Sequence, residues 1–111
     1  MPCYVRRKDV QGVPGPGHVS YPLLKAEHGC LNGFSSGFTI YTATQYTPPG
    51  AHEDQEGFVV VEGWGWAKVG NEEFHLEPDT CFIAPAGVAH AIKKDRDSPD
   101  LKVCWFHGAI K

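Results

Sequence analysis

Histidine is the residue type whose positions in this chain point most directly to chemistry, because an imidazole can bind a metal ion or transfer a proton near neutral pH. The 111-residue chain has six histidines, at positions 18, 28, 52, 75, 90 and 107. Two of them lie in patterned surroundings. His52 begins the run His-Glu-Asp-Gln-Glu-Gly-Phe-Val-Val-Val-Glu-Gly, and His90 ends the run Pro-Ala-Gly-Val-Ala-His. We therefore take His52 and His90 as the centre of a candidate site.

The segments that must position these histidines have the pattern of short β-strands. No window of a dozen residues shows helical spacing of apolar side chains, and 13 glycines and 9 prolines interrupt the chain. Runs rich in β-branched and aromatic residues predict strands over residues 37–46, 57–62, 64–69, 72–76, 80–84, 88–94 and 101–107. Gly70-Asn71 is a favourable two-residue hairpin turn between two of them. Strands of this length and spacing are typical of a β-sandwich or barrel.

The first third of the chain has a different composition. Residues 11–17 contain two prolines and three glycines and are predicted to be irregular, and residues 27–37 are predicted to form a loop. Residues 3–7 are predicted as a lone edge strand, an element that often pairs across a dimer interface. With no repeat or linker, we expect one domain over residues 1–111, with an irregular segment over about 1–36 and a barrel over about 37–108.

The segment around His52 resembles the first motif of the cupin superfamily. That motif has two histidines one residue apart, then after three or four residues a glutamate, and after six more a glycine. Glu56 and Gly63 match its second half, and His52 matches its second histidine. The first histidine then falls at Gly50, which has no side chain to bind a metal. A register with Asp54 as the second ligand places the glutamate too close, so the first register is preferred.

The segment before His90 resembles the second cupin motif, a glycine followed after five residues by Pro-x-Gly-x-x-His. Pro85, Gly87 and His90 match in register, while Asp79 stands where the motif has its glycine. The two motifs and the strands between them span about half of the chain. The resemblance implies an all-β fold, a double-stranded β-helix or jelly-roll barrel of about eight strands, whose interior can hold one small ligand.

The resemblance also implies a divalent metal ion in the barrel, with the usual four ligands reduced to His52, Glu56 and His90. Two imidazoles and a carboxylate suit Fe, Zn, Ni or Mn and leave coordination positions open for water or substrate. A buried carboxylate between two histidines is costly unless it is paired or coordinated. The alternative is a metal-free barrel in which these polar side chains hydrogen-bond one another.

The last predicted strand adds a further candidate. Leu101, Val103, Trp105 and His107 alternate along it and share a face, so His107 can point inward as a fourth ligand, a general base or a structural histidine. The weaker candidates for the same site are Tyr41, Gln45 and Asp54. The histidines expected at the surface are His18, His28 and His75.

Composition excludes several other classes of function. The formal net charge of −3 gives no basic field, so we expect no nucleic-acid partner. No apolar run approaches the roughly 18 residues of a membrane span, and the N-terminus lacks a signal-peptide pattern, so we expect a cytoplasmic protein without a membrane partner. Cys3, Cys30, Cys81 and Cys104 form no Cys-x-x-Cys pair and are expected to be free thiols.

These patterns favour a metal-dependent enzyme that acts on a small polar metabolite in the barrel, with Glu56 or His107 handling protons as the catalytic residues. Whether it would be an oxygenase, an isomerase or a lyase is left open. The alternatives are a non-catalytic module that binds or senses a small molecule, and a metal-free cupin scaffold. The resemblance further implies a homodimer.

Overall fold

The computed structural model describes residues 3–108, which fold almost entirely into β-strands. The strands in chain order are β1 (Val13–Gly15), β2 (His18–Leu24), β3 (Ser35–Tyr41), β4 (Gln55–Glu62), β5 (Gly65–Val69), β6 (Glu72–Leu76), β7 (Cys81–Ala84), β8 (His90–Lys94) and β9 (Leu101–Gly108). The helices of this part of the chain are single 3₁₀ turns, Arg7–Asp9 and Ala26–His28. Neither is long and apolar enough to cross a membrane.

Two antiparallel sheets form the jelly-roll barrel that the sequence predicts. The larger sheet has the strand order β1-β2-β3-β9-β4-β7, and the smaller has the order β6-β5-β8. Alternate side chains of each strand point between the sheets, which is why apolar residues two apart build the core. Its members are Phe58, Val60, Ala67, Leu76, Ala84, Ile92, Leu101, Val103 and Trp105.

Two turns show how local sequence sets this topology. Gly70-Asn71 joins β5 to β6 as predicted, with Val69 opposite Glu72 and Gly70 at a φ of 59°. Asp79 stands where the second motif has glycine, and its φ is 74°. Its backbone N–H donates to the Val60 carbonyl oxygen at 2.9 Å, which ties this left-handed residue to β4. Aspartate tolerates that conformation better than most residues, although less well than glycine.

All seven predicted strands are present, with ends that shift by up to five residues. The predictions for the first third were wrong in three places, one of which is that β3 begins at Ser35, inside the predicted loop of residues 27–37. Residues 11–17 are not wholly irregular, because Val13–Gly15 forms an edge strand, and the regular β2 follows it. Residues 3–7 form no strand, and a 3₁₀ turn begins at Arg7. The large sheet therefore extends well before residue 37.

Candidate metal centre

The centre of the site is the carboxylate of Glu56, on the inward face of β4. Its cross-strand neighbour on β9 is His107, and the next inward pair along the same two strands is Phe58 and Trp105. Glu56 is only 6% exposed. Strand alternation therefore places a carboxylate inside the barrel, directly beyond an aromatic layer of the core.

Three imidazoles surround that carboxylate. Nε2 of His52 and Nε2 of His90 both lie 3.3 Å from Glu56 Oε1, and Nε2 of His107 lies 3.1 Å from Oε2. The ring centroids of His52 and His90 are 5.1 Å apart, and those of His52 and His107 are 5.0 Å apart. Side chains from His52 to His107, which span 56 residues of the sequence, thus converge on one carboxylate.

The loops that hold His52 and His90 are fixed to each other by backbone hydrogen bonds. Gly50 and His90 exchange two of them, of 3.0 and 2.9 Å, and the Gly87 N–H donates to the His52 carbonyl at 2.7 Å. His90 is mostly buried, whereas the side chain of His52 is 42% exposed. The hydrogen bond with the Glu56 carboxylate raises the pKa of His90 against the opposing effect of burial.

Asp54 orients His107 from the other side of the ring. Nδ1 of His107 lies 3.2 and 3.3 Å from the two Asp54 carboxylate oxygens. An ionised carboxylate only accepts hydrogen bonds, so Nδ1–H is the donor and Nε2 is directed at Glu56. A carboxylate behind the second ring nitrogen is the usual arrangement for a histidine that binds a metal. His107 is therefore held in place rather than free to rotate.

A cavity of about 470 Å³ opens beside these residues. Its far wall is polar: Trp105 Nε1–H donates to Thr39 Oγ1 at 3.0 Å, and Thr39 donates a longer bond of 3.5 Å to Ser20 Oγ. Tyr41 lines the same wall, and its pKa is raised by burial and by the charge of Glu56, so its hydroxyl stays protonated. The same cavity is thus lined by imidazole, carboxylate and hydroxyl groups.

The residues present fit a divalent metal ion. The ligand atoms of His52, Glu56 and His90 lie within 4.8 Å of one another. Ligand bonds of roughly 2.0–2.2 Å require separations of about 3–4 Å, which small side-chain movements would give. The ion pairs that the structure shows for Glu56 are all to imidazoles, with no lysine or arginine among the described partners. A buried carboxylate of this kind calls for a cation.

Gly50 lies at the rim of the cavity, opposite His90. A Cβ added to Gly50 would meet no heavy atom within 4 Å. Directly opposite residues of an antiparallel pair project to the same face, so a side chain at this position would enter the space beside His90. The position that the motif assigns to a histidine therefore borders the site but supplies no ligand.

The structure brings His52, Glu56, His90 and His107 together, with Asp54 and Tyr41 beside them. Gln45 is exposed and does not line the cavity. His75 is exposed as expected, 3.1 Å from Asp95, and His28 accepts a hydrogen bond from the Lys25 N–H at 3.3 Å. The four cysteines are free thiols, as predicted.

Sequence reasoning missed the cavity wall that β2 provides. His18 was expected at the surface but lines the cavity beside Ser20, with its Nδ1 3.0 Å from the Pro16 carbonyl oxygen. Thr39 was also missed. The alternation of Thr39 with Tyr41 was a usable signal, because Tyr41 was already a candidate for this neighbourhood.

The comparisons with known proteins agree with this geometry. The sequence profile described as the cupin domain matches residues 38–107. No curated protein sequence matches the chain significantly. Among solved structures, the polyketide cyclase RemF from Streptomyces resistomycificus is 20% identical with a TM-score of 0.76, over 93% of this chain and 76% of that one.

Two further solved structures share the fold. Iron(II) HppE in complex with substrate is 14% identical with a TM-score of 0.81, over 94% of this chain and 59% of that one. KdgF from Halomonas sp. is 16% identical with a TM-score of 0.74, over 96% and 94%. The chain therefore spans about three fifths of the HppE chain and nearly all of KdgF. Likeness at these identities shows the fold, and the profile match over more than half of the sequence shows that this chain belongs to the cupin family.

Proposed function

We propose that this cupin is a metal-dependent enzyme that acts on a small polar metabolite inside the barrel. The observation that carries the proposal is the buried Glu56 carboxylate, which three imidazoles surround and with which no described lysine or arginine forms an ion pair. The ligands would be His52, Glu56 and His90. Iron(II) is present in one structural neighbour, and the same donor set also suits Zn, Ni or Mn.

A bound divalent ion would supply Lewis acidity, which polarises an oxygen of the substrate or lowers the pKa of a bound water. Side chains of the protein would carry out the proton transfers. His107 is the residue that would exchange a proton with the substrate, through Nε2. Asp54 accepts the Nδ1–H of His107 and so keeps that tautomer and ring orientation. Glu56 is the other group at which a proton could be held.

The cavity restricts the substrate to a small molecule with few charges. Its described lining contains no lysine or arginine, so it offers no side-chain partner for a highly charged anion. Hydroxyl groups of Ser20, Thr39 and Tyr41 line the cavity and can bind substrate oxygens. Phe58, Trp105 and other apolar side chains line the same cavity and can pack against the apolar part of a substrate.

A second candidate function uses the same cavity without turnover. Gly50 removes one ligand of the family motif, which favours a binding module or a metal-free scaffold over a complete catalytic centre. A metabolite that binds to the metal-loaded protein and is recovered unchanged would identify a binding module. Conversion of the metabolite that stops in His107→Gln would identify an enzyme.

Metal analysis of protein purified without an affinity tag tests the proposal. We expect about one equivalent of a transition metal in the wild type by plasma mass spectrometry, and at least a tenfold loss in His90→Ala and in Glu56→Gln. His75→Ala is the matched control, because His75 is exposed and pairs with Asp95 away from the cavity. Wild-type protein without stoichiometric metal, or undiminished metal in His90→Ala, would contradict the proposal.

A further inference from the structure

The cavity wall that β2 and β3 form carries three polar side chains that the proposed proton transfers do not use. His18 lies directly opposite Tyr41 of β3, with ring centroids 5.8 Å apart, and Ser20 lies two residues further along β2. Residues two apart on a strand project to the same face, about 6–7 Å from each other. All three side chains line the cavity. We call His18, Ser20 and Tyr41 the β2–β3 wall.

The imidazole of His18 is held in one orientation by the hairpin between β1 and β2. Its Nδ1 lies 3.0 Å from the Pro16 carbonyl oxygen. A carbonyl oxygen only accepts hydrogen bonds, so Nδ1–H is the donor, and in the neutral ring Nε2 carries a lone pair. The ring covers Gly15, its cross-strand partner, where an added Cβ would lie 2.6 Å from Nε2. Glycine at position 15 therefore leaves open the space that the imidazole occupies.

The three side chains of the wall differ in their free hydrogen-bonding roles. Among residues 3–108, no group donates a hydrogen bond to Nε2 of His18, so this nitrogen is an available acceptor. Thr39 donates to Ser20 Oγ at 3.5 Å, which leaves the Ser20 O–H as a donor. Burial and the charge of Glu56 raise the pKa of Tyr41, so its hydroxyl keeps its proton. The wall thus offers one acceptor and two donors.

We propose that the β2–β3 wall binds a hydroxyl group of the cavity's ligand, with Nε2 of His18 accepting its hydrogen bond. A hydroxyl group can donate to Nε2 and accept from Ser20 or Tyr41 at the same time. A carboxylate only accepts, so it would meet the Nε2 lone pair without a hydrogen bond. The described lining also holds no lysine or arginine to balance its charge. The ligand class that fits is a neutral molecule with several hydroxyl groups, such as a short polyol.

This inference rests on the proposed function only in taking the same cavity as the ligand site. Among the described residues, the hydrogen bonds of His18 and Ser20 involve no ligand of the metal centre. Binding at the wall can therefore be measured separately from metal binding, and each can fail without the other.

Nitrogen NMR of the full-length, tag-free protein labelled with ¹⁵N-histidine tests the wall, with erythritol and succinate as four-carbon probes. The His18 signals are assigned from their absence in His18→Phe. We expect the Nε2 signal of a nitrogen without a bound proton at pH 7.5, shifted by erythritol and not by succinate. An Nε2 signal that does not move up to about 100 mM erythritol would overturn the proposal. A shift with succinate alone would also overturn it, because the wall would then bind a carboxylate.

Variants at position 18 test whether the acceptor matters. His18→Phe keeps a ring without the acceptor and should weaken erythritol binding about five- to tenfold, the size of one hydrogen bond, in amide-shift titrations. His18→Gln keeps an acceptor oxygen on a side chain of similar reach and should recover part of the loss. His75→Phe is the matched control, because His75 is exposed on the smaller sheet and should bind as the wild type does. Undiminished affinity in folded His18→Phe would overturn the proposal.

Gly15→Ala tests the orientation of the ring with His18 still present. The added Cβ displaces the imidazole, so erythritol binding should weaken as in His18→Phe, while both variants keep the metal content of the wild type. Equal erythritol affinity in Gly15→Ala and wild type would overturn the ring placement on which the proposal depends. A wild type that lacks metal but shows the erythritol shift at His18 would contradict the proposed enzyme and support the hydroxyl site.

Discussion

Strands β4 and β9 line both ends of the barrel interior, but they carry different kinds of side chain at each end. At the closed end, Val60 of β4 lies opposite Val103 of β9, and both are fully buried. Four residues along each strand, beyond the aromatic pair Phe58 and Trp105, Glu56 and His107 occupy the corresponding position. Within about 14 Å of strand, the inward positions change from aliphatic core to titratable ligands.

The difference separates the residues that stabilise the domain from the residues of the candidate metal centre. The closed end excludes water completely, so each methylene there contributes to the free energy of unfolding. The open end places a buried carboxylate among imidazoles, an arrangement that is costly without a cation. Variants at the two ends should therefore separate stability from metal binding.

The largest effect is expected from truncation at the closed end. Leu101→Ala removes a fully buried side chain and should lower the free energy of unfolding by about 3 kcal/mol, through lost burial and the cavity left behind. Chemical denaturation measures this loss. Metal content per folded molecule should remain at the wild-type value. Loss of metal at temperatures where the variant is folded would show that the two ends are coupled.

A smaller effect is expected from adding a ligand at the open end. Gly50→His places an imidazole in unobstructed space opposite His90 and should tighten metal binding by about 10- to 100-fold, similar in size to the effect of other ligand-shell changes. Competition with a chelator measures the affinity. Gly50→Ala is the control for the backbone effect and should leave the affinity unchanged. Equal affinities of the histidine and alanine variants would contradict the placement of Gly50 beside the site.

The smallest effect is expected at the turn before β7, where Asp79 hydrogen-bonds to Val60 of the closed end. Asp79→Gly relieves a left-handed conformation worth about 1–2 kcal/mol, and the greater freedom of glycine in the unfolded chain offsets part of that gain. We expect a net stabilisation of about 0.5 kcal/mol, seen as a rise in Tm of about 2–4 °C. Asp79→Ala should lower Tm instead. A lower Tm for the glycine variant would show that the Asp79 side chain has a stabilising role.

The sequence predicted those strands in which apolar inward residues alternate with polar outward residues. Along β9, Leu101, Val103 and Trp105 are apolar and inward while Lys102 is outward, which also placed His107 correctly on the inward face. The contact between His107 and Asp54 was beyond such reasoning. It depends on side-chain geometry between residues 53 positions apart, which no local pattern encodes.

Sequence analysis missed strand β2 because its polar residues face the interior and its apolar residues face outward. Val19 and Tyr21 face outward on the sheet, whereas His18 and Ser20 face the cavity. The pairing register of β2 with β3 also shifts between Pro22 and Leu24. A strand with polar residues toward the interior and apolar residues outward does not show the inward-apolar pattern on which strand prediction depends.

The most direct test of the metal centre is anomalous scattering from crystals of untagged protein, collected at the absorption edges of Fe, Ni, Zn and Mn. We expect one anomalous peak in the cavity, about 2.0–2.3 Å from Nε2 of His52, Nε2 of His90 and a carboxylate oxygen of Glu56. The edge at which it appears would name the element. A metal-loaded crystal with no peak there, or with its peak at another site, would contradict the assignment of these three residues as ligands.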